Sequence, residues 1–200
     1  MVRVAAVLVL LFLSSPASAQ THPEIGRVEI AVEVLYYDVE GADASELSAS
    51  LSERSPSIGA QRFYGLTEWE VNAEYRWVEH ATGCTLEDVR IRLVIQTHLP
   101  RRPSRGGIDA QTRRDWDRFV RDLGAHESHH RDLIAAAGDA MRWKLVSLRE
   151  AECRTMERAA QLALAASIEE TKARNDDFDR QTQHGRTQGV IWPPEALGTR

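Results

Sequence analysis

The sequence has little of what marks several large classes of protein. Of its 200 residues only two are cysteine, too few for a disulfide-built scaffold or a four-cysteine zinc site. Lysine and arginine number 25 against 30 acidic residues, and the net charge of −5 argues against a protein that grips nucleic-acid phosphates. Its one continuous apolar run is shorter than the ~20 residues of a membrane span, and no internal repeat is present. With 42% apolar and 28% charged residues, the chain has the composition of a single globular domain.

The first 19 residues have the three parts of a cleavable signal peptide. Arg3 precedes the apolar run 4–13, and an Ala-Ser-Ala tripeptide ends at Ala19. We therefore expect cleavage after Ala19 and export to the periplasm or the medium, with residues 20–200 forming one domain that keeps no membrane segment. The alternatives are a buried N-terminal strand or helix and a retained membrane anchor.

Three segments alternate between apolar and polar residues with the period of two that is typical of half-buried strands: 27–37, 67–78 and 87–97. A short turn joins the last two, which predicts an antiparallel hairpin. Asp43 and Glu46 have the spacing of a capping box, which predicts a short helix over 44–54. We therefore expect an N-terminal antiparallel sheet of about three strands with a short helix.

From about residue 109 the apolar residues recur with the period of 3.6 that predicts a long amphipathic helix, which Gly124 could interrupt. A second long helix is expected over 152–175. The residues from Asp176 onward contain glycines and two prolines and are expected to be irregular. Because strands come first and helices second, the predicted fold class is α+β.

The first long helix contains His126-Glu127-Ser128-His129-His130, which is an H-E-x-x-H motif. Residues at i and i+4 share one helix face, so the imidazoles of His126 and His130 can bind one Zn²⁺ ion. Glu127 is offset from the pair, and its carboxylate can act as general base on a zinc-activated water. His129 lies on another side of the helix and is interpreted as exposed or as a neighbour of a ligand. The alternatives to a metal site are two buried neutral histidines or a solvent-facing histidine cluster.

A catalytic zinc needs a third protein ligand and an open position. We expect His184 to be that ligand, because it lies in a glycine-containing turn where the chain can fold back onto the first long helix. Asp179 is the next candidate. Five further side chains carry a suitable donor atom: His80, His98, Glu157, Glu169 and Asp177.

The two cysteines, Cys84 and Cys153, both lie in the part expected to be exported. An oxidising compartment favours a disulfide between them, which would join the end of the β-rich half to the last helical segment. Closing a loop of that length stabilises a protein by roughly 3–5 kcal/mol. Two buried thiols or a cysteine-containing metal site are the alternatives.

Over nearly the whole exported part, the sequence resembles DUF922, a bacterial family of predicted secreted zinc-dependent proteases. The resemblance rests on motifs spread along the chain: Gly41, Ser45-Glu46-Leu47, Gly65–Val71, Cys84, Leu99-Pro100, Trp116, Phe119, His126–His130, Cys153, Asn175–Asp179, Thr182, His184-Gly185 and Gln188-Gly189. It implies that the C-terminal segment belongs to the metal site, which favours His184 and Asp179 over Glu157, and that the cysteines are paired. The family pattern has a tyrosine where this chain has Phe178, so a hydroxyl that could stabilise an oxyanion is missing there.

Together these features predict an exported zinc-dependent metallopeptidase with a zincin-like arrangement, in which a sheet precedes the helix that carries H-E-x-x-H. Its substrate would be a protein or peptide, its cofactor Zn²⁺, and no nucleic-acid partner is expected. The candidates for an oxyanion donor are Tyr75, His98 and His129. Two alternatives stay open: an exported domain that binds zinc for stability or for a partner, and an exported binding module without a metal.

Overall fold

The computed structural model describes residues 26–103 and 107–194, and the expected signal peptide lies outside them. The strands and helices follow in this order: β1 (Arg27–Asp38), α1 (Ala44–Arg54), β2 (Ser57–Ile58), β3 (Gln61–Arg62), β4 (Leu66–His80), β5 (Gly83–Arg101), α2 (Ala110–Val146), β6 (Arg149–Glu150), α3 (Cys153–Thr182) and a 3-10 helix (Arg186–Gln188). The α+β class is confirmed. None of the described helices combines the length and apolar character that crossing a bilayer requires.

The main sheet is mixed. Its central strand is β5, with β1 on one side and β4 on the other, and β6 pairs with the beginning of β5. The predicted β4–β5 hairpin is antiparallel, with Trp69 opposite Ile95. Strand β1 runs parallel to β5, with Ile30 opposite Leu93, so the prediction of a wholly antiparallel sheet is wrong. Alternation tells which face of a strand is buried but carries no information on its direction, and the long connection through α1 and the small β2–β3 hairpin permits the parallel pairing.

The core lies between one face of this sheet and the two long helices. The inward residues of β5 are almost wholly buried, and α2 and α3 cover them with aliphatic side chains such as Ile134, Met141 and Met156. Helix α2 begins where the carboxylate of Asp109 accepts the backbone N–H groups of Gln111 and Thr112. It continues through Gly124 without a break, so the expected interruption does not occur.

Two connections hold α3 and the C-terminal segment in place. A disulfide joins Cys84 at the start of β5 to Cys153, the first residue of α3, as the sequence predicted. Near the other end, Trp192 packs with Trp116 and Phe119 of α2 in a second apolar cluster. The helix runs on to Thr182, so the expectation that the chain is irregular from Asp176 is wrong for the first seven residues of that segment.

Candidate metal centre

The two motif histidines lie side by side on the buried face of α2. His126 is 4% exposed and His130 is 8% exposed. Their rings meet edge to face with centroids 4.8 Å apart, as the i,i+4 spacing requires. They continue the stripe that buries Leu123 and Ile134, so the amphipathic pattern of the helix directs both imidazoles inward.

Helix α3 brings a carboxylate to these histidines. Oδ1 of Asp179 lies 3.1 Å from Nε2 of His126 and 3.1 Å from Nε2 of His130, and the two Nε2 atoms are 3.3 Å apart. These three side chains form the one group of potential metal ligands found among the described residues, with donor atoms within 4.8 Å of one another. The group could hold a single metal ion.

The second nitrogen of each imidazole also has a partner. Nδ1 of His126 lies 2.9 Å from Oε1 of Gln188, and Nδ1 of His130 lies 2.7 Å from Oδ1 of Asn175. Asn175 stands one turn before Asp179 on α3, so both face α2. Both ring nitrogens of each histidine are therefore engaged, and the rings have defined orientations.

Burial and hydrogen bonding have opposite effects on the pKa values of Asp179 and His130. Burial alone would raise the pKa of Asp179, but hydrogen bonds from His126 and His130 outweigh it and hold the pKa far below its usual range. Burial alone would lower the pKa of His130, but hydrogen bonds to Asp179 and Asn175 raise it. The centre thus stabilises positive charge beside an ionised carboxylate, which is the electrostatic condition for binding a cation.

Glu127 is buried next to the same centre. Its Oε2 accepts a hydrogen bond of 2.8 Å from the hydroxyl of Thr67, at the start of β4. The hydroxyls of Thr67 and of the fully buried Thr97 are 3.2 Å apart. Burial raises the pKa of Glu127, against the lowering effect of this hydrogen bond and of the histidines. Gly65 lies against the other oxygen, since a Cβ there would collide with Oε1. The carboxylate is therefore oriented by one strand and has a proton affinity above that of an exposed glutamate.

Phe178 covers one side of the histidines. Its ring stacks on His129 with centroids 4.1 Å apart and on His126 at 4.9 Å, and it meets His130 edge on at 5.0 Å. His129 is exposed on its other side. The aromatic ring thus limits the access of water from this side, and it carries no hydroxyl.

A cavity of about 810 Å³ opens onto the centre. Its floor includes His126, His130, Asp179 and Glu127. The apolar part of its walls comes from the segment before and within β4, from α2 and from the C-terminal segment: Ile58, Phe63, Tyr64, Leu66, Trp69, Leu123, Ile134, Val190, Ile191 and Trp192. Polar and charged side chains of α3 and of the segments around it also line the cavity: Gln61, Arg62, Lys172, Asp176, Gln183 and Arg186. A cavity of this size and character is typical of a site for an organic ligand or several residues of a peptide.

The structure does not place His184 in the group of three donors. Its side chain is 65% exposed, and its Nδ1 lies 3.6 Å from Oδ2 of Asp179, the carboxylate oxygen that does not face the other histidines. His184 follows the end of α3, where it and Gln183 both have a φ of 52°, and it lines the cavity. Its assignment as a ligand stays a prediction, whereas Asp179, the next candidate, is in the group.

The five remaining candidates have partners of other kinds. His80 contacts Thr85, His98 pairs with Glu68, Glu157 accepts from Tyr75, Glu169 pairs with Lys172, and Asp177 pairs with Arg180. None of them belongs to the donor group. Tyr75 and His98 likewise have partners away from the histidines, so of the proposed oxyanion donors only His129 adjoins the centre.

Three residues of the centre have no role in the motif reasoning: Thr67, Asn175 and Gln188. The i,i+4 spacing of Asn175 and Asp179 places both on one helix face once the predicted helix is extended from residue 175 to Asp179. Thr67 and Gln188 come from distant parts of the chain; both lie in the motifs that carry the family resemblance, but no periodicity predicts their contacts with the centre.

Comparison with known proteins identifies a family but no activity. Residues 34–185 match the family model described as "Bacterial protein of unknown function (DUF922)", which covers well over half of the chain. Neither a curated protein nor a solved structure matches the chain.

Proposed function

The chain belongs to the DUF922 family, and we propose that this member is an exported zinc-dependent metallopeptidase. The observation that carries the proposal is the convergence of His126, His130 and Asp179 on one point, beside the buried carboxylate of Glu127 and at the floor of a large cavity. The disulfide supports export, because such bonds persist in oxidising compartments.

The donor group fits zinc in both chemistry and size. Two imidazole nitrogens and one carboxylate oxygen are a ligand set that catalytic zinc sites use. Ligands bound tetrahedrally at about 2.0–2.1 Å are separated by roughly 3.3–3.4 Å. The three donor atoms here are 3.1, 3.1 and 3.3 Å apart, so they need to move by only a few tenths of an ångström.

In this proposal His126, His130 and Asp179 hold the zinc, and His184 contacts the outer oxygen of Asp179 instead of the ion. When bound, zinc would supply a Lewis acid that lowers the pKa of water and polarises a carbonyl oxygen. Three protein ligands would leave one coordination position for water or substrate, as catalysis requires. Phe178 shields the histidines from the other side.

Glu127 is the general base and then the general acid. Its Oε2 is held by Thr67, so Oε1 is the oxygen that can take a proton from the attacking water and later deliver it to the leaving amine. The raised pKa caused by burial brings this carboxylate closer to the pH at which it must both accept and release a proton.

The cavity and the sheet edge suit an extended peptide. Strand β4 is an edge strand among the described residues, and its first residues line the cavity beside Glu127. An extended chain laid along this edge could use the free backbone groups of β4, while the apolar walls receive its side chains. The substrate class that follows is a protein or peptide.

The test is Glu127→Gln. Glu157→Gln is the matched control, because Glu157 lies away from the metal centre and accepts a hydrogen bond from Tyr75. We expect Glu127→Gln to keep its zinc and to lose peptidase activity by about 10²- to 10⁴-fold, because the base is removed and the ligands are not. Glu157→Gln should keep both. A zinc-loaded wild type that cleaves no peptide in a broad substrate library would favour the non-catalytic zinc-binding alternative, and a wild type without zinc would exclude both.

A further inference from the structure

We propose that Asn175 and Gln188 are positioning residues that accept hydrogen bonds from Nδ1 of His130 and of His126, so that both Nε2 atoms are directed at one point and are left for the metal. The inference rests on the proposed zinc site and goes beyond it, because it assigns what orients the two imidazoles toward the metal. The side-chain amides of these two residues, which are not metal ligands, would then contribute to metal affinity.

The chemistry of the amide oxygen carries the first step. A carbonyl oxygen only accepts hydrogen bonds, so the nitrogen facing it must carry the proton. Oε1 of Gln188 faces Nδ1 of His126 at 2.9 Å, and Oδ1 of Asn175 faces Nδ1 of His130 at 2.7 Å. With zinc bound at Nε2 in place of the hydrogen bond to Asp179, the one proton of each neutral imidazole would lie on Nδ1, facing the amide oxygen.

The amide of Asn175 is itself held in one orientation. Its Nδ2 donates a hydrogen bond of 2.8 Å to the backbone carbonyl of Thr171, which is 3% exposed. Rotating the amide by half a turn would place its oxygen against that carbonyl and its NH₂ group against the imidazole. The amide oxygen that faces Nδ1 of His130 is thus held in place by the helix that carries Asp179.

Gln188 connects the metal centre to the C-terminal wall of the cavity. It lies in the 3-10 helix, and the backbone of Gly185 packs so closely on His126 that a Cβ there would lie 3.2 Å from Cγ of that ring. Val190, two residues after Gln188, lines the cavity and packs against the second apolar cluster. Binding of zinc at His126 and docking of this segment should therefore favour each other to the same extent, as linkage requires.

The experiment measures Zn²⁺ affinity by competition with a chromophoric chelator, for the full exported chain. Asn175→Leu and Gln188→Leu remove the acceptor at similar volume, whereas Gln188→Glu keeps an acceptor oxygen. Gln181→Leu is the matched control, since Gln181 lies exposed on α3 and donates a hydrogen bond to Asp177, away from the metal centre. We expect the two leucine variants at Asn175 and Gln188 to bind zinc 10- to 100-fold more weakly than wild type, and Gln188→Glu and Gln181→Leu to bind within a few-fold of it.

A second readout separates positioning from folding. In NMR of the zinc-loaded protein, the wild type should show a slowly exchanging Nδ1–H signal for each of the two histidines, and each leucine variant should lose the slow exchange at its own histidine. Zinc should also slow amide exchange over residues 185–190 in wild type, and less so in Gln188→Leu. Because Gln188 is exposed on its outer side, this variant should fold even if Asn175→Leu does not.

The outcomes distinguish the two proposals. A wild type that binds no zinc overturns the proposed function and this inference with it. A wild type that binds zinc, with both leucine variants equally tight and with the same Nδ1–H signals, overturns only the positioning role. Weak binding by Gln188→Glu as well would also overturn it, since loss despite a retained acceptor points to a packing effect.

Discussion

Replacing Cys84 and Cys153 together by alanine should destabilise the protein and leave the metal centre intact. The disulfide joins the start of the central strand to the first residue of α3, and Asp179 lies ~39 Å further along that helix at 1.5 Å per residue. Alanine is preferred to serine because Cys84 is 2% exposed among apolar side chains, where a hydroxyl would lack a partner.

The magnitude follows from the length of the loop that the disulfide closes. The cysteines are 69 residues apart in the sequence. For such a loop the chain-entropy relation gives a loss of unfolded-state entropy of about 15 cal/mol/K, which is about 4 kcal/mol at 25 °C. In a domain of this size, that corresponds to a fall in Tm of roughly 8 to 16 °C.

The assay is urea denaturation of the oxidised wild type and of the double variant, followed by the far-ultraviolet circular dichroism of the helices. Wild type in strong reductant is the control and should approach the double variant. A difference in unfolding free energy below about 1 kcal/mol would refute the reasoning on loop closure. A folded double variant with zinc affinity changed more than a few-fold would refute the independence of the two ends of α3.

Three further predictions test the packing of α2, the orientation of Glu127 and the link between metal and stability. Gly124→Ala should stabilise the protein by about 0.5–1 kcal/mol in thermal denaturation, because the added Cβ would meet open space. Gly138→Ala should destabilise the protein by about 1–3 kcal/mol, because the added Cβ would lie 2.7 Å from Cδ1 of Leu93. Effects of the same sign would contradict the placement of α2 on β5. Thr67→Val should lower kcat at unchanged zinc affinity, whereas Thr67→Ser should keep both, and a valine variant as active as wild type would show that this hydrogen bond does not orient Glu127. Zinc at 100 times its Kd should raise the free energy of unfolding by about 2.7 kcal/mol, and EDTA should abolish the increase; an unchanged denaturation curve would mean that the folded state does not bind the ion.

The sequence predicts elements well where one face is buried in apolar surroundings. In β5, the buried Ile91, Leu93 and Ile95 alternate with more exposed residues, most of them polar, because one face packs on α2 and the other does not, and the sequence predicts a strand there. The parallel direction of β1 could not be predicted in the same way, because it depends on the path of the chain between β1 and β4 and not on which residues are apolar.

The end of α3 shows a different limit. The prediction stopped this helix at residue 175 because its apolar stripe ends near Ile168, whereas its last turns pack on α2 through the polar side chains of Asn175 and Asp179. The usable signal was the absence of glycine and proline between Gly138 and Gly185, which allows a helix to continue. His184 is the first choice as third ligand from the sequence because it lies in a glycine-containing turn, whereas Asp179 reaches the histidines only because α3 continues past residue 175.

The convergence of three donors on one ion is tested most directly by zinc content after reconstitution of the exported chain. We predict one zinc per chain in wild type and in His184→Ala, and a loss of bound zinc in His130→Ala and in Asp179→Ala with the fold retained. Loss in His184→Ala with retention in Asp179→Ala would show that the histidine is the ligand. Absence of zinc from the reconstituted wild type would contradict the metal site itself and the metallopeptidase proposal that depends on it.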